Sequence, residues 1–252
     1  MLFATVLCIA AVLNVPASAA DITHRTDYSI ALGILPVATA SFVTEVAKKA
    51  YTISGSLSSA GLVDVFSRTK GQTLIAGQIE AGKFQASTYS VSYTSGKKGR
   101  QIDVQLRNGN VTSATIKPER TLPQNWVPVS KADLRAVLDP ISGLIIPAGS
   151  KVCPKMLPIF DGESRMDIRL TAKGTKPFKT KGFEGEAIVC GIRFTPKSGY
   201  RKGRSDVEYL RKLQTMEIWF AKAEAMNVYA PVYARIPTKL GPVIVSATRF
   251  GG

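Results

Sequence analysis

The chain offers few side chains for redox, metal or nucleophilic chemistry. Its cysteines are Cys8, Cys153 and Cys190, and its one histidine is His24, which we expect in a solvated segment near the mature N-terminus. Hydrolases of the triad type use histidine as their general base. Zinc sites need clusters of histidine or cysteine, and Cys153 and Cys190 do not form a CxxC motif. These residue types predict no catalytic triad, no metal site and no cofactor.

Cys153 and Cys190 are candidates for a structural disulfide. If the chain is exported and its first residues, which include Cys8, are cleaved off as a signal peptide, these two thiols remain in an oxidising compartment. Pairing is the simplest outcome there. Closing a loop of this length stabilises a fold by roughly 3–4 kcal/mol in the chain-entropy treatment. The alternative is two buried free thiols, because Cys190 lies in the apolar run 187–192.

Asp161, Glu163 and Asp167 form the densest group of carboxylates. Paired carboxylates about 5–10 Å apart hydrolyse glycosidic bonds when a cleft holds them on either side of the substrate. However, Asp161 is followed by Gly162, and this pair favours a hairpin turn between two strands. We expect the turn, and a carboxylate hydrolase remains an alternative.

Basic residues dominate the charge of the chain. The formal net charge is +15, with 33 Lys and Arg against 18 Asp and Glu. An exported protein meets phospholipid head groups and other anionic envelope components rather than nucleic acid. The densest basic segment is either a solvated loop or a patch for such partners. Its cations are Lys197, Arg201, Lys202, Arg204, Arg211 and Lys212.

Residues 1–19 resemble a secretory signal peptide. Residues 2–15 are largely apolar, Pro16 follows, and Ala17, Ser18 and Ala19 form a small-residue cleavage site. The apolar run is too short to span a bilayer. We therefore expect cleavage after Ala19, export to the periplasm, and a single β-rich domain over residues 20–252.

Period-two patterns predict that this domain is mainly β. Ile102, Val104 and Leu106 alternate with polar residues, and an Asn108–Gly109 turn follows them. Similar strands fill residues 26–117 and 151–252. Residues 118–150 predict a crossover and a helix that begins at Ser130 and ends before Pro140. We expect a large curved antiparallel sheet, an open barrel or spiral of about ten to twelve strands, with two or three short helices, one of them a helical turn at residues 61–67.

The aromatic residues have two possible places in such a sheet. A closed sheet packs them into a filled core, whereas an open sheet uses them to line a cavity. The candidates for cavity lining are Phe42, Phe66, Tyr89, Tyr93, Trp126 and Trp219.

Five segments carry a resemblance to a known family. They are YTISG, GLVDVF, YTSGKK, LPIFDG and EIWF, at residues 51–55, 61–66, 93–98, 157–162 and 217–220. The chain resembles the proteobacterial envelope family named domain of unknown function 3108, over roughly residues 26–250. The resemblance implies a long spiralling antiparallel sheet, similar to that of envelope-integrity proteins. More distantly it implies the open barrel of lipoprotein carriers, whose apolar cavity lies under helices. It supplies no catalytic residues.

Together these features predict an exported periplasmic protein that is not an enzyme and that supports cell-envelope homeostasis. Its expected ligand is an apolar or lipidic molecule or a protein segment. A scaffold that docks another envelope protein is the alternative. The expected partners are an envelope protein, a lipid or another anionic envelope component, with peripheral membrane contact and without nucleic acid.

Overall fold

The computed structural model describes residues 22–61 and 68–252, and most of them are strands. The strands are β1 (Ile22–Leu32), β2 (Leu35–Ala47), β3 (Ala50–Ser59), β4 (Thr69–Glu80), β5 (Lys83–Ser95), β6 (Lys98–Arg107), β7 (Asn110–Lys117), β8 (Trp126–Val127), β9 (Ile146–Pro147), β10 (Lys155–Phe160), β11 (Arg165–Thr180), β12 (Phe183–Ser198), β13 (Tyr200–Arg201), β14 (Met216–Ala223), β15 (Val228–Thr238) and β16 (Gly241–Gly251). The described residues also form one α-helix, α1 (Ser205–Lys212), and the 3-10 turns Ser142–Leu144 and Glu224–Met226.

Thirteen strands follow one another in a single antiparallel sheet. Their order is β10-β11-β12-β14-β15-β16-β1-β2-β3-β4-β5-β6-β7, and β9 adds to β15. The first and last strands of the described chain, β1 and β16, lie side by side in the middle of this order. The two edges, β10 and β7, do not pair with each other, so the sheet is open. The predicted fold class is confirmed, with more strands than expected: thirteen follow one another in the main sheet, and short strands such as β8 and β13 form in addition.

One irregular segment connects the two edges of the sheet. On one side, Leu134 accepts a hydrogen bond from Val111 N at 2.9 Å. On the other side, Leu138 N donates to Pro158 O at 2.8 Å, and Leu138 O accepts from Phe160 N at 2.9 Å. We call residues 134–150, which contain this connection and continue across one end of the sheet, the cap.

The helix predicted to begin at Ser130 does not form. Its start signal is real, since Asp133 accepts from the Ser130 hydroxyl at 2.7 Å and from Ser130 N at 3.0 Å. Beyond this turn, the backbone groups of Leu134, Val137 and Leu138 bond to β7, to the turn before β7 and to β10. Ala136 adopts a left-handed φ of 50°, which ends any helical path. Long-range pairing has therefore replaced local helical bonding.

Alternate residues of the strands build a buried inner face. One row across the sheet joins His24, Thr44, Ile53, Ile75 and Tyr89 by direct register, and all five are buried. A second core lies between β10, β11, β12 and β14. Its side chains are Ile146, Val152, Leu157, Ile159, Leu170, Cys190, Ile218 and Phe220.

The strand turns gather at two ends of the sheet because successive strands run in opposite directions. The cap end carries the turns after β2, β4, β6 and β11 together with residues 134–150. The opposite end, which we call the tip end, carries the turns after β1, β5, β10 and β15, and α1. The described helices include none long and apolar enough to cross a membrane. The predicted signal peptide, the cleavage position and residues 62–67 of the helical turn predicted at 61–67 lie outside the described residues.

Candidate functional site

A cavity of about 330 Å³ lies between the inner face of the sheet and the cap. The walls come from β1, β2, β3, β15 and β16, and residues 140–145 of the cap cover one side. The side chains are almost all apolar. They include Ile30, Ala40, Phe42, Ile53, Leu57, Ile141, Leu144, Ile145, Ala230, Tyr233 and Val245.

Small residues between large ones create the space. Ala40 lies directly opposite Leu57, and Phe42 lies opposite Gly55, in the register of β2 with β3. A Cβ atom built on Gly55 would stand 2.6 Å from the Phe42 ring. Gly55 therefore lets this aromatic ring lie across β3 and form part of the cavity wall.

Replacing Gly55 with alanine is expected to destabilise the protein by about 1–3 kcal/mol, because the added methyl overpacks Phe42 and Thr73. The matched control is Gly71→Ala on the next strand, where a Cβ atom would meet its nearest neighbours at an ordinary 3.6–3.7 Å. Urea unfolding of both variants measures the difference. Equal free energies of unfolding for the two variants would mean that the wall does not depend on this contact.

His24 is the polar side chain that distinguishes this cavity. It lies on β1, is buried, and meets the edge of Phe250 with ring centroids 4.6 Å apart. Its Nε2 atom has no hydrogen-bond partner among the described residues. Burial lowers the pKa of the imidazole below 6.5, so it is neutral at pH 7. The expectation of a solvated tail is wrong, because β1 begins before His24 and pairs with β16 and β2.

The other polar groups of the wall are already satisfied or weakly polar. The Tyr28 hydroxyl donates to Pro231 O at 2.6 Å, and burial raises the pKa of this phenol. Thr26 and Thr44 are buried beside His24 on the same face. A ligand in the cavity would therefore meet an apolar surface with one neutral imidazole as its main polar contact.

Asp139 holds the cap in the shape that covers the cavity. Its carboxylate accepts from Ile141 N at 2.9 Å, from Ser142 N at 2.8 Å and from the Ser142 hydroxyl. These hydrogen bonds stabilise the 3-10 turn, which places Ile141 and Leu144 in the lining of the cavity. The side chain is buried, and desolvation raises the pKa of Asp139.

The aromatic residues predicted to line the cavity lie in different parts of the structure. Phe42 lines the cavity, whereas Tyr89 belongs to the filled core. Trp126 lies under the Arg120 guanidinium, and Trp219 packs on Tyr233 with ring centroids 4.5 Å apart, behind the lining. Tyr93 borders a different, open depression among Lys70, Arg100 and Lys117. Phe66 lies outside the described residues.

The predicted basic patch follows the tip end of β12 through β13 and α1. Arg204 pairs with Asp206, and Arg211 pairs with Glu208 at 2.7 Å, so part of its charge is locally neutralised. The cations of the patch are exposed and do not line the cavity. They are Lys197, Arg201, Lys202, Arg204, Arg211 and Lys212.

The carboxylate cluster is the predicted hairpin turn between β10 and β11. Asp161 accepts from Glu163 N at 2.9 Å and from Ser164 N at 2.6 Å, which closes the turn. Glu163 pairs with Arg100 at 2.8 Å and with Arg120, while Asp167 pairs with Arg165. In the part of the chain that the structure describes, no group of three or more acidic, histidine or cysteine side chains is placed to hold a metal ion.

The disulfide between Cys153 and Cys190 is confirmed. The two Cα atoms are 6.1 Å apart, within the usual range for this bond. Cys190 lies on β12 in the second core, and Cys153 follows the end of the cap. The bond therefore ties the chain that leaves the cap to the centre of the C-terminal strands.

Comparisons with other proteins place this architecture in a family. The family model for Protein of unknown function (DUF3108) matches residues 27–248. Among solved structures, the chain is similar to the crystal structure of a beta-barrel-like protein of domain of unknown function DUF1849 from Brucella abortus. The identity is 14%, the TM-score is 0.54, and the match covers 91% of this chain and 97% of that one. This likeness concerns the fold alone. No curated protein matches the chain.

Proposed function

Because this chain belongs to the family of proteins of unknown function DUF3108, we propose its function from the cavity: it binds an apolar or lipidic ligand and catalyses no reaction. The observation that carries the proposal is a cavity of about 330 Å³ whose lining is almost entirely apolar. Ligand sites are typically concave, mostly apolar and about 300–1,000 Å³ in volume. This cavity falls at the lower end of that range.

The expected ligand is a small amphiphile rather than a pure hydrocarbon. A buried polar atom normally has a hydrogen-bond partner, and His24 Nε2 lacks one among the described residues. A ligand hydroxyl or carboxyl group beside His24 would supply that partner. The rest of the ligand would lie against Phe42, Leu57 and Val245.

The proposed place of action is the periplasm, in support of the cell envelope. The signal-like pattern of residues 1–19 supports export. The Cys153–Cys190 bond supports an oxidising compartment. An apolar ligand available there is a membrane lipid or a fragment of one.

The test is binding of the neutral fluorescent probe N-phenyl-1-naphthylamine. The wild type is expected to enhance its fluorescence, and Ala40→Phe, which fills the cavity from β2, is expected to weaken binding about tenfold or more. Ala114→Phe adds the same ring at an exposed position of β7 and serves as the matched control. A wild type that binds no probe, or an Ala40→Phe variant that binds as well as the control, would remove the proposal.

Native mass spectrometry of protein purified from its own envelope identifies the natural ligand class. An adduct of lipid mass that solvent extracts supports the proposal. An adduct of peptide mass would instead favour a protein segment as the occupant of the cavity.

A further inference from the structure

Two neighbouring hairpin tips expose large aliphatic side chains to solvent. The turn between β1 and β2 presents Ile34, which is 94% exposed, and Leu35, which is 57% exposed. The turn between β15 and β16 presents Leu240, which is 84% exposed. Isolated exposed aliphatic residues are common, but a group of them at one place marks an interaction site.

The fold holds these two tips side by side. β16 pairs with β1 up to the tips, where Leu32 lies opposite Val243, and Gly33 N donates to Pro242 O at 2.8 Å. The patch is therefore a defined feature of the sheet and not three unrelated side chains. We call Ile34, Leu35 and Leu240 the apolar tip.

The end of the sheet that carries the apolar tip also carries many basic side chains. Several carboxylates there are already paired, such as Glu163 with Arg100 and Glu208 with Arg211. Exposed lysines lie next to Leu240, at the β5–β6 hairpin, after β13 and at the end of α1. They include Lys97, Lys98, Lys202, Lys212 and Lys239.

Apolar side chains connect the tip with the cavity. Ile30, Val245 and Ala234 share one register row and line the cavity. The next row on the same face toward the tip contains Leu32, Val243 and Ile236, which are half-buried. The apolar inner surface thus continues from the cavity to the hairpin tips.

We propose that the tip end docks on the surface of an anionic phospholipid bilayer, with Ile34, Leu35 and Leu240 inserted at the boundary of head groups and acyl chains. Exposed aliphatic side chains gain free energy at this boundary, and nearby lysines gain it from anionic head groups. A protein partner would more commonly present a flat surface to a broad patch, whereas here the aliphatic groups protrude at turns. Membrane docking is separate from ligand binding and does not depend on what the cavity holds.

Cosedimentation with vesicles tests the docking. The wild type is expected to bind vesicles of phosphatidylcholine mixed with phosphatidylglycerol, and to bind phosphatidylcholine alone much more weakly, because the lysines need anionic lipid. Higher salt should weaken the binding through screening. The variant with Ile34→Ser, Leu35→Ser and Leu240→Ser is expected to lose about tenfold or more in vesicle affinity.

Leu74→Ser is the matched control, because Leu74 is 53% exposed in the middle of β4, away from the tips. This variant should bind vesicles like the wild type. A wild type that ignores anionic vesicles, or a triple variant that binds them as tightly as the control, would overturn the docking. N-phenyl-1-naphthylamine binding by the triple variant separates this result from the proposed function, since the cavity should still bind the probe.

Tryptophan substitution tests which residues insert. Leu240→Trp should show quenching by brominated lipids on vesicle binding, beyond the signal of the native Trp126 and Trp219. Leu74→Trp should show no added quenching. Equal quenching of the two variants would contradict insertion at the tip.

Discussion

Replacing both Cys153 and Cys190 with serine is expected to lower the melting temperature by about 10 °C. The disulfide closes a loop with a sequence separation of 37. In the chain-entropy treatment, removing such a cross-link costs about 4 kcal/mol of unfolding free energy. For a protein of this size, each kcal/mol corresponds to about 2–4 °C.

Reductant provides the control for this prediction. Wild type with reductant should melt near the temperature of the double variant, and reductant should leave the double variant unchanged. Scanning calorimetry measures all four melting temperatures. If the wild type melts at the same temperature with and without reductant, the bond contributes little to stability.

Replacing Asp139 with alanine is expected to destabilise the protein by about 3 kcal/mol, because the buried N–H of Ser142 and the half-buried N–H of Ile141 lose their acceptor. Asp139→Asn keeps an acceptor oxygen at the same place and should lose much less. Urea unfolding at pH 7 measures both variants. An alanine variant as stable as the wild type, or an asparagine variant as unstable as the alanine variant, would contradict the role given to Asp139.

The pH dependence of stability, compared between wild type and Asp139→Asn, gives a second measurement. Burial raises the pKa of Asp139 above its ordinary value of 3.8. The folded state therefore binds the proton more tightly than the unfolded state, and this contribution is fully present below pH 3.8. It is lost as the pH rises through the folded-state pKa. The stability of Asp139→Asn relative to wild type should accordingly increase from about pH 4 upward.

In the difference in stability between wild type and Asp139→Asn, the pH-dependent contributions of the other carboxylates cancel. Asp27 and Glu217, for example, have lowered pKa values, with hydrogen bonds from Ser41 to Asp27 and from Lys173 to Glu217 among the causes. Their effect on stability has the opposite sign but is common to both proteins. A relative stability that falls with rising pH would contradict the raised pKa of Asp139.

Strands and turns were predictable from the sequence because their signals are local. The alternation of Ile102, Val104 and Leu106 predicts one buried face, and Val104 and Leu106 are buried on it. The Asn108–Gly109 pair forms the predicted turn between β6 and β7. The family match confirms the resemblance carried by the five segments, and the disulfide followed from the count of cysteines.

The cavity was only partly predictable, because its walls join residues that are far apart in sequence. Phe42 was among the candidates, but the space beside it depends on Ala40 and Gly55, which carry no aromatic signal. His24 was missed, although the period of two that contains Tyr28 and Ile30 extends back to it through Thr26. The helix at residues 130–139 was predicted from a local signal that pairing with β7 and β10 overrides.

The pairing of β1 with β16 has a consequence for the order in which the protein can be completed. Arg25 lies opposite Gly251, so the first described strand finds one of its two neighbours only when the last strand has been synthesised. Contacts of such high sequence separation slow folding and leave an unpaired strand exposed in the meantime. A partly synthesised chain that lacks β16 cannot complete the cavity wall, because Val245 of β16 lines the cavity. A chain exported amino terminus first, as proposed, would complete its cavity only after translocation of β16.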